Sequence, residues 1–168
     1  SGEATLSEHA GKAVLQAYGI PVVGEALMTL DEVRALKAAP FAFPLAVKIN
    51  SADIPHKTEA GGVLLGINSV EELKAAAETV TGNARAYKPE AKLEGVLVQQ
   101  MASGLEVIVG GLNDACFGPT VVFGLGGIFA EVLRDVTYRF APFGLEAARE
   151  IVQEIKGAVV LNGYRGRQ

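Results

Sequence analysis

Leu45–Gly66 reads LAVKINSADIPHKTEAGGVLLG. Its two ends, Leu45–Ile49 and Val63–Ile67, are short apolar runs, and its middle, Asn50–Gly62, is polar. Two β-rich runs joined by a glycine-bearing polar loop predict two strands with a functional loop between them. Lys48 interrupts the first run. Lysine is seldom buried without a partner, so a lysine in a strand that otherwise reads as core implies an anion beside it. The loop adds His56, Lys57, Asp53 and Glu59, and then Gly61–Gly62, where backbone N–H groups can approach a ligand closely. These parts suit phosphate. With little to bury, the loop is expected to be mobile without ligand.

Outward from this stretch, the chain of 168 residues has about the length of one domain and enough material for a core. Its 49% hydrophobic and 20% charged residues describe a globular protein. A net charge of −4 and the lack of any Lys/Arg cluster argue against a nucleic-acid or membrane-surface binder. No apolar run reaches the length of a bilayer span, and the start of the chain lacks the pattern of a secretory signal. Cys116 is the single cysteine, so an intrachain disulfide is excluded. A cytoplasmic location is the expectation.

Periodicity and punctuation predict the elements. Ser7 caps a helix to about Tyr18, with Ala10, Val14, Leu15 and Tyr18 at helical spacing and Gly19 and Pro21 as stops. Val22–Leu30 reads as a strand. Asp31 caps a short helix, Glu32–Ala39, closed by Pro40. Ser69-x-x-Glu72 is a capping box before a helix reaching about Tyr87. Gly95–Met101, Leu105–Leu112, Gly118–Phe123 and Thr137–Ala141 read as strands, with a turn at Asn113–Asp114. Leu145–Ile155 reads as an amphipathic helix. This mixture predicts an α+β (mixed α/β) fold rather than a doubly wound parallel sheet.

The pattern K-I-x-S-x-D-I-x-H-K-T-E-x-G-G-V resembles the signature of the ATP-grasp domain of ADP-forming acyl-CoA synthetases, the ADP-forming acetate–CoA ligase family. Val98–Gly111, Phe117–Pro119, Phe123–Asp135 and Leu161–Gly166 (LNGYRG) resemble the family's later blocks in the same order. The resemblance covers about residues 7–166. It implies the ATP-grasp fold, which clamps a nucleotide between two α+β subdomains. It also implies a leading helix within residues 1–19, a smaller subdomain at 20–98 and the start of the larger one at 99–168. Members of the family continue past GYRG with an E-x-D-x-N-P-like motif and a later Asp that hold Mg²⁺. Neither occurs here, so the expectation is a fragment truncated at the C-terminus. ATP/ADP and Mg²⁺ are the implied cofactors. The implied partner is a CoA-binding subunit, or a fused upstream domain, with its own phosphohistidine.

Each candidate residue has a plainer alternative. Lys48 would hold phosphate oxygens with its ammonium, or else sit at a sheet edge with its head in water. Lys57 would join it. His56 could hydrogen-bond phosphate or act as a nucleophile forming a phosphohistidine, the role that the resemblance implies; the alternative is an exposed loop histidine, and Asp53 or Glu59 could orient the ring. Gln99, Gln100 and Met101 end a strand at the implied hinge, where backbone groups and an apolar contact read adenine; ordinary strand packing is the alternative. Glu106 could accept the ribose hydroxyls or be a charge on a wet strand face. Gly126 and Gly127 could present N–H groups to an anion, and Glu131 matches the family's GGxxxE glutamate, which contacts the phosphohistidine. Asp135 and Arg139 are weaker candidates, Cys116 is read as packing, and His9 as a helix residue without partners. The leading function is thus the nucleotide-binding part of an ADP-forming acyl-CoA synthetase. The alternative is a ligand-sensing, synthetase-like module of a protein lysine acetyltransferase. A carboxylate–amine ligase would leave HKTE without a purpose.

Overall fold

The computed structural model describes residues 6–127 and 135–163. They form two compact units, 1–102 and 103–168.

The first unit is an antiparallel sheet of four strands in the order β1-β4-β2-β3: β1 Glu25–Met28, β2 Leu45–Asn50, β3 Val63–Ile67 and β4 Gly95–Gln100. Alternation sorts its side chains. Leu45, Val47, Val96 and Val98 face one way and build a core with Ile67, with Val33 of α2 (Leu30–Ala35), and with Leu73, Ala76, Ala77 and Val80 of α3 (Val70–Tyr87). Ala46, Lys48 and Asn50 of β2 point to the opposite face, beside Leu97 and Gln99 of β4 and Glu25 of β1, which lie across from one another in register.

α1 (Glu8–Ala17) belongs to this second face, because its polar side chains reach Glu25, Lys48 and Gln99 and the His9 backbone N–H donates to Asn50 Oδ1. The expected apolar packing of the helix does not occur. Val14, Leu15 and Tyr18 are exposed, and α1 has no buried residue. Ser7 is its N-cap residue but makes no side-chain cap bond. The second helix also differs from expectation: Thr29, not Asp31, caps it, in a reciprocal box with Glu32. Ser69 accepts from the Glu72 N–H as expected, whereas the Glu72 carboxylate takes the N–H of Asn68.

The loop after β2 buries more than its composition suggested. Ile54 and Ala60 pack with Ile49 and Ala84 in a small second core. The Ser51 hydroxyl donates to the Lys92 carbonyl, and the N–H groups of Gly61 and Gly62 donate to the carbonyls of Thr58 and Lys57. Gly61 has φ +61°, a left-handed conformation that glycine adopts freely. A Cβ on Gly62 would stand 2.7 Å from Ile49 Cγ2, so close packing rather than dihedral angle requires glycine there.

The second unit is a three-stranded antiparallel meander, β5 Val107–Asp114, β6 Gly118–Leu125 and β7 Val136–Phe140, followed by helices α4 (Leu145–Glu154) and α5 (Ala158–Leu161). Phe123 and Leu125 pack on Ile151, Ile155 and Ala158. At the β5–β6 turn the Asp114 carboxylate accepts the N–H groups of Phe117 and Cys116, which hold its pKa below the usual carboxylate value. Cys116 itself is exposed, contrary to the packing role expected of it. Among the described residues no helix is long and apolar enough to cross a membrane.

Candidate functional site

The chemistry-bearing side chains of the first unit gather on the face of the sheet that α1 covers. Strand alternation aims Lys48 there while Val47 and Ile49 point into the cores. Its anion is internal: Lys48 Nζ lies 3.0 Å from Glu8 Oε1. Lys57, brought in by the loop, lies 3.2 Å from Glu8 Oε2. One carboxylate therefore bridges the strand lysine and the loop lysine.

Further contacts close the cluster. Glu8 Oε1 also accepts from Lys12 Nζ at 2.9 Å and from Gln99 Nε2 at 3.1 Å. Glu25 Oε2 accepts from Gln99 at 2.6 Å and from Lys12 at 2.9 Å, and His9 Nδ1 lies 2.7 Å from Glu25 Oε1. Glu8 stands in the first turn of α1, where the helix dipole favours a negative charge. Burial pushes the Glu8 carboxyl upward, but the donors Lys12, Gln99 and Lys48 outweigh it and hold the group well below the usual carboxylate range. Burial likewise raises Glu25, and Lys12, Gln99 and His9 bring it below its ordinary value. Burial would lower the Lys12 ammonium, but Glu8 and Glu25 leave it raised. Three lysines against two carboxylates leave the cluster with surplus positive charge.

Four of these residues escaped the sequence reading. His9, taken as a helix residue without partners, is paired with Glu25. Glu8, Lys12 and Glu25 were not singled out. The signal that could have found them is the i,i+4 pair Glu8–Lys12 at the start of α1 together with a glutamate opening a strand.

His56 stands apart from the cluster on the loop. Its side chain is 74% exposed, and Nδ1 lies 3.9 Å from Glu59 Oε1, within reach of ion pairing but beyond a hydrogen bond. Asp53 does not orient the ring: its carboxylate accepts the Lys92 N–H at 2.7 Å. At the end of β4, Gln99 sends its side chain into the Glu8–Glu25 cluster. Gln100 Oε1 accepts the Gly24 N–H at 3.1 Å, and exposed Met101 has its sulfur 3.3 Å from the Gly66 nitrogen, which donates to it.

In the second unit the Glu106 carbonyl accepts the Gly126 N–H at 2.8 Å, and a Cβ on Gly127 would stand 2.8 Å from Glu106 Oε2. Glu106 thus lies against the glycine pair that was read as an anion site. Glu131 lies outside the described residues. Asp135 accepts the N–H groups of Lys156 and Gly157, and Arg139 pairs with Glu154, so both serve the packing of α4 and α5.

Comparison with known proteins identifies the family of the chain. The family model of an ATP-grasp domain matches residues 1–168. The beta subunit of acetate–CoA ligase [ADP-forming] II of Pyrococcus furiosus is 46% identical over 170 residues, which cover 99% of this chain and 71% of that protein. A dinucleotide-forming acetyl-coenzyme A synthetase 1 of Ca. Korarchaeum cryptofilum, solved with coenzyme A, Ca-AMPCP and HgCl⁺, superposes with a TM-score of 0.87 at 38% identity, covering 99% of this chain and 73% of that one. The same synthetase with coenzyme A, acetyl-coenzyme A and a phosphorylated phosphohistidine segment superposes with a TM-score of 0.83 at 38% identity, with the same coverage.

Proposed function

We propose that this chain, which belongs to the ATP-grasp domain family in the branch of the ADP-forming acetate–CoA ligases, is the nucleotide-handling part of such a ligase. The reaction is acyl-CoA + ADP + phosphate ⇌ carboxylic acid + CoA + ATP. One observation carries the reading at the site: a strand lysine and a loop lysine converge on a single carboxylate. Two ammonium groups fixed by separate elements at such a distance suit the oxygens of a nucleotide's phosphates. Lys48 and Lys57 hold the phosphates, and the end of β4 (Gln99, Gln100 and Met101) meets the adenine. In the second unit, Glu106 remains the candidate for the ribose hydroxyls and Gly127 for an anion, whereas the Gly126 N–H is given to the Glu106 carbonyl. The compact units 1–102 and 103–168 support a division into a smaller subdomain, led in by α1, and the start of a larger one.

His56 is the phosphate carrier. Its exposed imidazole takes a phosphoryl group from a histidine of a CoA-binding partner and passes it to ADP. At each transfer one N–P bond breaks, and an N–P or O–P bond forms. Lys57, the next residue, offsets the charge that phosphorylation adds. A carrier fixed to a loop replaces diffusion of phosphate through water. The beta-subunit relative and the phosphohistidine segment of the solved synthetase support this reading. Mg²⁺ neutralises phosphate oxygens in phosphoryl transfer. Among the described residues no group of three or more His, Cys, Asp or Glu side chains is placed to hold a metal, and no step here runs through one. The comparisons lend no support to the acetyltransferase-linked module.

Calorimetry tests the site. Lys48→Ala in the full-length protein is expected to weaken ADP binding by roughly 1.5–3 kcal/mol, the scale of a hydrogen bond to a charged group. Unchanged affinity with the fold intact removes Lys48 from the nucleotide site.

A further inference from the structure

The carboxylate that bridges Lys48 and Lys57 comes from α1, outside the strand-loop-strand stretch that supplies the lysines. We propose that Glu8 is a resident counter-anion of the phosphate site: it holds the two ammonium groups together while no nucleotide is present, and it competes with phosphate oxygens for them when nucleotide arrives. This rests on the reading that Lys48 and Lys57 bind nucleotide phosphate.

The geometry carries the competition. Glu8 gives one oxygen to Lys48 at 3.0 Å and the other to Lys57 at 3.2 Å. It spans the gap between them as two oxygens of a phosphoryl group would. The Lys48 and Lys57 side chains are 24% and 15% exposed, and each ammonium has an oxygen of the Glu8 carboxylate against it. An anion that reaches both lysines therefore meets Glu8 at contact distance, and two anions so close repel. Glu8 has somewhere to stay: Lys12 and Gln99 also hold it, and Lys12 is shared with Glu25. α1 buries no side chain fully, so its contact with the sheet is chiefly this polar cluster and can adjust without opening a core. The consequence is a site that keeps its lysines preorganised and yet binds nucleotide less tightly than two free ammonium groups would, which favours release of product.

Glu8→Gln keeps the length and an acceptor oxygen but removes the charge. In the full-length protein it is expected to tighten ADP roughly three- to tenfold, the scale of one partly exposed charge, while leaving adenosine, which has no phosphate, unchanged. Unchanged or weaker ADP binding, or equal tightening of adenosine, overturns the proposal. Should Glu8→Gln fail to fold, Glu8→Asp draws the carboxylate back from both lysines by one methylene while keeping its charge near Lys12; tighter ADP supports the proposal, and equal or weaker binding overturns it. Lys48→Ala measured alongside separates the two readings. If it weakens ADP while Glu8→Gln does not tighten it, the competition alone fails; if it leaves ADP unchanged, both fail.

Discussion

Lys48 owes its position to the two-residue period of a strand. Its neighbours Val47 and Ile49 are buried in cores, and the pleat turns Lys48 to the other face, where Glu8 meets it. Glu25 works by the same rule from β1, with its side chain 9% exposed and three partners on it: Lys12, Gln99 and His9. The folded pKa values of Glu8 and Glu25 are both depressed, so their contribution is complete above the ordinary carboxylate value of 4.5 and is lost as pH falls below it. The raised Lys12 contributes in the opposite sense: its share is complete below its ordinary value of 10.5 and is lost as pH rises beyond it. Thermal unfolding is therefore expected to move to lower temperature as pH falls from about 5 to 3. Glu25→Gln should be less stable than the parent at pH 7 by about 1–3 kcal/mol and should lose less on acidification. An unchanged pH profile in the variant would show that the cluster does not couple to folding. At this scale Lys48 was legible because its demand for an anion is local. Its partner was not, because Glu8 lies forty positions away and nothing in strand periodicity points to a helix on the far face.

Elements were legible where a periodic run and its punctuation agree. β2, β3 and α3 stand where alternation, Gly61–Gly62 and Ser69 place them. α1 also forms where expected, but its apolar residues look outward, since a 3.6-residue period marks a face without saying what covers it. The polar loop after β2 buries more than its composition suggests: two apolar residues, Ile54 and Ala60, pack with Ile49 and Ala84. Caps depend on which side chain finds an N–H. Thr29→Ala removes a reciprocal cap and is expected to cost about 1 kcal/mol in urea unfolding. Ser7→Ala removes no cap bond and should cost clearly less. Equal losses would mean that the difference between the two helix starts carries no energy.

For the whole molecule, the mixture of strand and helix patterns predicts an α+β fold, and two antiparallel sheets with helices appear, in a chain that belongs to the ATP-grasp family. Neither composition nor periodicity could assign the nucleotide chemistry; the ordered blocks around Lys48, His56 and Gly126–Gly127 pointed to it. The proposed phosphate relay depends on His56, the exposed imidazole on the loop that also brings Lys57 to the cluster. The decisive measurement follows acid-labile, base-stable label from acetyl-CoA and labelled phosphate in the intact ligase, with wild type beside His56→Asn. Label is expected on His56 in wild type. In the variant, ADP binding should be nearly unchanged, ATP formation suppressed by orders of magnitude, and label retained on the partner's histidine. Equal labelling of this chain in the two proteins, or full ATP synthesis by the variant, would contradict the relay.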